Sequence, residues 1–260
     1  MAKEKYVPLV GITGEGEDYN VYNLNTVERM TGFAIGFAAG FVGSHVMFNS
    51  PIVSLIFGLI AGCIAIPIYR NHLQTKRSRE ILLQFRDLLD SLTSSYSAGE
   101  NTMGAFEGAL KDIGSAHGEN APMFQELKIL LKVLHNNFVI EDLLRDMGKR
   151  CGAEDIISFA ETFAVCNRLG GNLKKVVSES RNIISDKIEI EMEIQTSLTS
   201  GKNEINILMV MPFVIIAAMG TMGEKALTAN TPTNVAVKIV AMIMFALAYY
   251  IGRRITDIKV

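Results

Sequence analysis

Four apolar stretches divide the chain, and polar sequence separates the first two from the last two. They are residues 30–48, 52–69, 205–222 and 234–252, and only the last contains a charged residue, Lys238. Helices of this length rise about 1.5 Å per residue and so reach across the roughly 30 Å hydrocarbon core of a bilayer. The pattern predicts four transmembrane helices, paired as two hairpins.

The sequence between the hairpins, residues 70–203, has the pattern of water-soluble helices. Its apolar positions recur with a period near 3.6, and no strand-like alternation extends far enough to compete. The predicted helices cover residues 79–98, 101–114, 122–137, 140–151, 154–169 and the stretch from 172 toward the third span. Brief loops join them, which favours an antiparallel bundle of six helices.

These patterns predict an all-α integral membrane protein, with four transmembrane helices as two hairpins that flank a cytoplasmic six-helix antiparallel bundle. Residues before Thr26 are polar and are expected to form a flexible or peripheral segment. The predicted segments are an N-terminal cytoplasmic segment, a first hairpin, the bundle, a second hairpin and a tail, at residues 1–29, 30–69, 70–203, 204–252 and 253–260.

Basic residues near the span ends predict the orientation. Cytoplasmic flanks of membrane helices carry an excess of Lys and Arg. Such residues flank all four spans on one predicted side: Arg29, Arg70, Lys76, Arg77, Arg79, Lys202, Arg253, Arg254 and Lys259. Both termini and the bundle are therefore expected in the cytoplasm, although Lys225 and Lys238 weigh mildly against this orientation.

Glycines at four-residue spacing mark one face of each helix of the first hairpin. They are Gly32, Gly36 and Gly40 in the first span, and Gly58 and Gly62 in the second. Small residues at this spacing let helix backbones approach closely in lipid. We expect these glycines to pack the hairpin; the alternative is a substrate path lined by glycine, but no ionisable side chain accompanies them.

Composition is consistent with a chain that lies partly in lipid, and it limits the possible partners. The mean hydropathy is +0.26, charged residues make up 20% and the net charge is -2. No basic surface indicates nucleic-acid binding. Three distant cysteines, Cys63, Cys151 and Cys166, argue against a disulfide framework or a zinc site.

The motifs of nucleotide-binding and hydrolytic enzymes do not occur in the sequence. Gly201-Lys202 lacks the upstream glycine and the following Ser or Thr of a phosphate-binding loop. None of the four histidines lies beside a cysteine or serine in a nucleophile motif. We therefore expect no enzymatic activity, no catalytic residues, no cofactor and no metal.

The order of hairpin, helical bundle and hairpin resembles the F-domain family of platform proteins in type II secretion and type IV filament machines. The likeness is closest to the single-bundle platform subunits of the Tad (Flp) pilus. It rests on YNVYNLNTVERM at residues 19–30, QFRDLLDSLTSSYSAGENTMGAFEGAL at 84–110 and AEDIISFAETFAVCNRLGGNLKKVV at 153–177. IISDKIEIEMEI at 183–194 and Pro212 add to it.

This resemblance implies a protein of the bacterial inner membrane that couples a cytoplasmic hexameric secretion ATPase to the extraction of pilin subunits and to filament assembly. Larger relatives have two bundles in tandem, whereas this chain has one. The resemblance therefore implies a second platform subunit, either another copy or a paralogue. The expected partners are the ATPase, that subunit, pilins and the lipid bilayer.

Two turns match the family pattern and are candidates for partner contact. Gly99, Glu100 and Asn101 follow the first bundle helix, while Gly170, Gly171 and Asn172 precede the last. Glycine after a helix and asparagine before one are also ordinary capping residues, so capping remains the alternative. The charged face of the last helix, with Lys174, Lys175, Glu189 and Glu193, is a second candidate, and its alternative is a solvated surface.

Two other classes of function compete with this interpretation. A small multi-pass transporter or channel subunit would require polar or ionisable residues near mid-bilayer. A membrane-anchored receptor or scaffold would require a sizeable domain on the outer side, and the predicted hairpin turns are short.

Overall fold

The computed structural model describes residues 9–12, 14, 16–134, 138–221 and 232–256, and this part of the chain is all helical. Its helices are α1 (Thr26–Phe48), α2 (Pro51–Ser97), α3 (Thr102–His117), α4 (Pro122–Leu134), α5 (Ile140–Cys151), α6 (Glu154–Leu169), α7 (Leu173–Thr221) and α8 (Pro232–Thr256). The all-α prediction is confirmed.

Three helices are long and apolar enough to cross a membrane, as expected of a membrane protein. They are α1, with a mean hydropathy of 1.4, the first part of α2, with 2.4, and the later part of α7, with 1.3. The described apolar stretch of α8, Asn234–Phe245, is shorter. The fourth span and the arrangement of two hairpins around a bundle therefore stay predictions, and the turn at residues 222–231 lies outside the described residues.

The helices α2 and α7 are longer than expected. The predicted start of a bundle helix at about Arg79 is wrong, because α2 continues without a break from Pro51 to Ser97. The connecting residues contain neither glycine nor proline after Pro67, so nothing in the backbone ends the helix there. The helix α7 likewise runs from Leu173 through Pro212 to Thr221.

Several helix ends follow the capping residues in the sequence. The predicted bounds of α5 and α6 are confirmed, and each ends at a glycine in the left-handed conformation, Gly152 or Gly170. The helix α3 continues past the expected end at Gly114 to His117, so the loop predicted at residues 115–121 is shorter than expected. Residues 135–137, the predicted end of α4, lie outside the described residues.

The chain divides into two compact units. The first, here called the bundle unit, comprises Met1–Asn23 and Asn71–Glu189, and the second comprises Leu24–Arg70 and Ile190–Val260. Aromatic rings fill the core of the bundle unit: Phe85 meets Phe159 edge-on at 5.5 Å between centroids, and Phe106 meets Phe163 edge-on at 6.4 Å. These rings join α2 and α3 to α6.

In the second unit, the five predicted glycines lie where α1 and α2 approach each other. A Cβ atom on Gly36 would lie 2.8 Å from the carbonyl oxygen of Ala61, and one on Gly40 would lie 2.6 Å from the Cβ of Ala61. Aromatic rings cover the other three: Tyr69 lies against Gly32, Phe37 against Gly58 and Phe33 against Gly62.

Replacing Gly36 by leucine is expected to lower the free energy of unfolding by about 1–3 kcal/mol, the usual cost of overpacking. The new side chain would meet backbone, which cannot move aside as a side chain can. Gly201→Leu is the matched control, because a Cβ at Gly201 meets nothing within 4 Å. Thermal unfolding in detergent measures both, and equal melting temperatures would exclude close packing at Gly36.

The segment before α1 differs most from the sequence-based expectation. Residues 16–22, here called the strap, pack onto the bundle unit, and Tyr19 is only 4% exposed. The Tyr19 backbone N–H donates to the Arg150 carbonyl at 2.8 Å, and the side-chain amide of Asn20 donates to the Lys149 carbonyl at 2.9 Å. The expectation of a flexible segment is therefore wrong for these residues, whereas the other alternative, a peripheral segment, fits them.

A buried ion pair lies beneath the strap. Arg150 on α5 donates two hydrogen bonds to the carboxylate of Glu126 on α4, at 2.7 and 2.5 Å, and a third to Asp146 at 2.9 Å. It also donates to the carbonyl oxygen of Glu17 in the strap at 3.2 Å. Although burial opposes a charge here, these carboxylates raise the pKa of Arg150, so it stays charged at neutral pH.

Candidate functional site

The turn between α2 and α3 holds the first candidate contact residues. Gly99 has a φ of +83°, which favours glycine, and the backbone N–H of Glu100 donates to the Ser95 carbonyl at 3.0 Å. The side chain of Asn101 caps α3 by accepting from the Gly104 N–H at 2.8 Å. Gly99 and Asn101 thus serve the helix ends, whereas Glu100 is exposed.

The turn between α6 and α7 is built in the same way. Gly170 has a φ of +68°, and the Gly171 N–H donates to the Cys166 carbonyl at 2.8 Å. A Cβ at Gly171 would lie 2.7 Å from the sulfur of Cys166. Asn172 caps α7 by accepting from the Lys175 N–H at 3.1 Å. Capping accounts for these three residues, and all three remain exposed to a partner.

The two turns lie at the same end of the bundle unit. Phe85 on α2 contacts Phe159 on α6, and the ion pair between Asp90 and Arg181, at 2.6 Å, joins α2 to α7. The hairpins α2–α3 and α6–α7 therefore lie side by side. Gly99 follows Asp90 by nine residues, and Asn172 precedes Arg181 by nine. Each turn is thus about 13 Å along its helix from the same ion pair.

Apolar side chains are exposed beside the second turn. Leu169, at 80%, is the most exposed large apolar side chain among the described residues, and Val165, one turn earlier on α6, is 59% exposed. Val165, Cys166 and Val176 line a shallow groove between α6 and α7, together with Glu161 and Thr162. Sequence reasoning missed this feature, because Leu169 was counted only as the last residue of a periodic helix.

The same turn carries a local excess of positive charge. Residues 161–179 include Arg168, Lys174 and Lys175 and two carboxylates, Glu161 and Glu179, which leaves a net charge of +1. All three basic side chains are exposed, and within the described part of the chain none forms an ion pair. We refer to Val165, Arg168, Leu169, Lys174 and Lys175 as the α6–α7 corner.

The two lysines are placed where they do not help the helix. They lie in the first turn of α7, near the positive end of its dipole, where a cation is unfavourable by about 0.3–1 kcal/mol. Helix stability therefore does not explain this pair. The two lysines line a shallow pocket with Glu179 and Asn182.

Among the described residues, no group of three or more His, Cys, Asp or Glu side chains is arranged to hold a metal ion. Burial, followed by the charge of Glu126, raises the pKa of the Cys151 thiol to about 12. The thiol is therefore protonated at neutral pH.

Comparisons of the chain with protein-family models, with curated proteins and with solved structures gave no match. The resemblance to the platform family therefore stays a prediction, and the functional argument rests on the residues of this chain.

Proposed function

We propose that this protein is an inner-membrane platform of a type II secretion or type IV (Tad/Flp) pilus machine. In this role it couples a cytoplasmic secretion ATPase to pilin extraction and filament assembly. Its bundle and both termini lie in the cytoplasm, and a second copy or a paralogue completes the platform.

One observation supports a coupling role most directly. Two single helices, α2 with 47 residues and α7 with 49, each contain both an apolar span and part of the bundle unit. Neither is interrupted by a loop between the two parts. An unbroken helix transmits a displacement along its axis, whereas a loop absorbs it by changes in φ and ψ.

The test is to interrupt the helix α7 between its bundle part and its apolar span without changing a residue in either part. Thr196 is exposed on α7 between the bundle part and the span. Proline there removes a helical hydrogen bond and clashes with the carbonyl of Met192, at a cost of about 3 kcal/mol or more. We expect Thr196→Pro to abolish surface filaments and leave pilin in the membrane, while the protein still accumulates and still copurifies with the ATPase.

Thr196→Ala is the matched control. It removes the hydrogen bond from the hydroxyl to the Met192 carbonyl but keeps the helix. Filaments are counted by electron microscopy, and membrane-retained pilin is measured by immunoblot. Normal filaments in Thr196→Pro would contradict coupling through α7. Normal filaments in a strain that lacks this protein would contradict the platform proposal as a whole and return attention to a transporter.

A further inference from the structure

We propose that the α6–α7 corner is a docking surface for an acidic protein segment that carries an exposed aliphatic or aromatic side chain. This inference rests on the proposed function, under which the segment belongs to the cytoplasmic ATPase. It goes further by naming the surface and the chemistry of its partner.

The apolar part of the corner provides the anchor. Val165 and Leu169 are four residues apart on α6, so they lie on one face and form a continuous exposed strip. Val176 on α7 extends the strip into the groove between the helices. A partner side chain that enters this groove would contact both helices at once.

The charged part determines which partner fits. Arg168, Lys174 and Lys175 are close in sequence to the strip, and they outnumber the two nearby carboxylates, Glu161 in the groove and Glu179 beside the lysines. The positive, N-terminal end of the α7 dipole lies at these lysines and adds to the attraction for a carboxylate. Complementary charge of this kind raises the rate of association and excludes basic partners.

Within the bundle unit, the corner lies away from the point where α7 leaves the unit. The chain leaves the bundle unit at residues 71 and 189, the ends nearest in sequence to the apolar spans. Lys187 is paired with Asp155 near the start of α6, whereas the corner lies at the other end of that helix. A symmetric contact between the corners of two copies is also disfavoured, because it would bring like charges together.

Photo-crosslinking in the full-length protein tests this surface. We would place p-benzoylphenylalanine at position 169 in growing cells, and at position 183 as the control. Ile183 is also apolar and 61% exposed, but it lies on α7 away from the corner. The expected result is a crosslink from position 169, and none from position 183, to a peptide rich in Asp and Glu on the cytoplasmic secretion ATPase.

Charge reversal at Lys174 and Lys175 is the second part of the test. Lys174→Glu with Lys175→Glu is expected to lower the yield of that crosslink by about tenfold or more, since opposed like charges are strongly unfavourable. Lys111→Glu with Lys128→Glu reverses two other exposed lysines and should leave the yield unchanged. Lys174→Gln with Lys175→Gln should give an intermediate loss, and circular dichroism should show the same helix content in all variants.

Several outcomes would overturn the inference: no crosslink, a crosslink to lipid or to a second copy, or a yield that does not depend on the two lysines. The results also separate this inference from the proposed function. An acidic peptide from a protein other than the ATPase would contradict the ATPase as occupant of the corner, and the platform proposal would still depend on the Thr196→Pro test. Copurification of the ATPase without a crosslink from position 169 would overturn the corner as the docking surface and leave the platform proposal standing.

Discussion

Replacing Glu126 by alanine should lower the free energy of unfolding of the bundle unit by about 3–5 kcal/mol, the cost of leaving a buried charge without its partner. The side chains of Arg150 and Glu126 are 4% and 3% exposed, so water cannot replace the lost carboxylate without opening the structure. Asp146 would keep one hydrogen bond to Arg150, but it is bonded to only one of the three guanidinium nitrogens. Denaturant unfolding in detergent, followed by circular dichroism, measures the effect.

Two controls distinguish the effect of losing the buried charge from the effect of losing side-chain volume. Glu161→Ala removes an exposed carboxylate and should change stability by no more than about 0.5 kcal/mol. Glu126→Leu combined with Arg150→Met should recover most of the loss, because well-packed apolar pairs often replace buried ion pairs without cost. If Glu126→Ala were no more destabilising than Glu161→Ala, the pair would not be buried in solution.

Removing the ring of Tyr19 should release the strap. A buried aromatic side chain contributes about 3–5 kcal/mol when truncated to alanine. Tyr19 is covered by the guanidinium of Arg77, which lies 4.4 Å from its ring centroid. We therefore expect Tyr19→Ala to undock residues 16–22 while the helices of the bundle unit remain folded.

The thiol of Cys151 reports this undocking. It is buried at the end of α5 that the strap covers, and it directly follows Arg150, whose carbonyl accepts from Tyr19. With Cys63 and Cys166 replaced by serine, maleimide labelling at pH 8 should be slow in the parent and clearly faster in Tyr19→Ala. The reaction requires the thiolate, which burial disfavours as it raises the pKa to about 12.

Tyr22→Ala is the matched control for this measurement. Tyr22 belongs to the same strap, but it is only half-buried, and its ring centroid is 5.9 Å from the Arg77 guanidinium. Its truncation should accelerate labelling less than that of Tyr19. Equal labelling rates in the parent and in Tyr19→Ala would show that the strap does not cover Cys151.

The helices could be predicted where local chemistry decides the structure. Gly152 and Gly170 end α5 and α6 because a left-handed residue stops each helix, and this signal is visible in the sequence. The unbroken course of α2 was missed because a change from apolar to basic residues near Arg70 resembles a domain boundary. The two compact units do meet at this point, but helix-forming residues on both sides allow the backbone of α2 to continue across the boundary.

Contacts between distant residues could not be predicted. Glu126 and Arg150 lie on different helices and resemble ordinary polar positions in the sequence, so their burial depends on tertiary packing. The candidate turns were located correctly in the chain, since glycine and asparagine mark helix ends. The apolar strip beside them was not found, because a periodic leucine such as Leu169 does not reveal whether another helix covers it.

The strap has a consequence for how the protein is made. Asn20 and Arg150 are 130 residues apart in the chain, yet they are bonded in the folded protein. At about 5–20 residues per second, translation separates their appearance by roughly 7–26 seconds. During that interval the first apolar spans leave the ribosome while Tyr19 has no site to occupy. The strap can therefore dock only after α5 has been synthesised, so chains truncated before Arg150 would expose Tyr19 to the quality-control proteases of the cell.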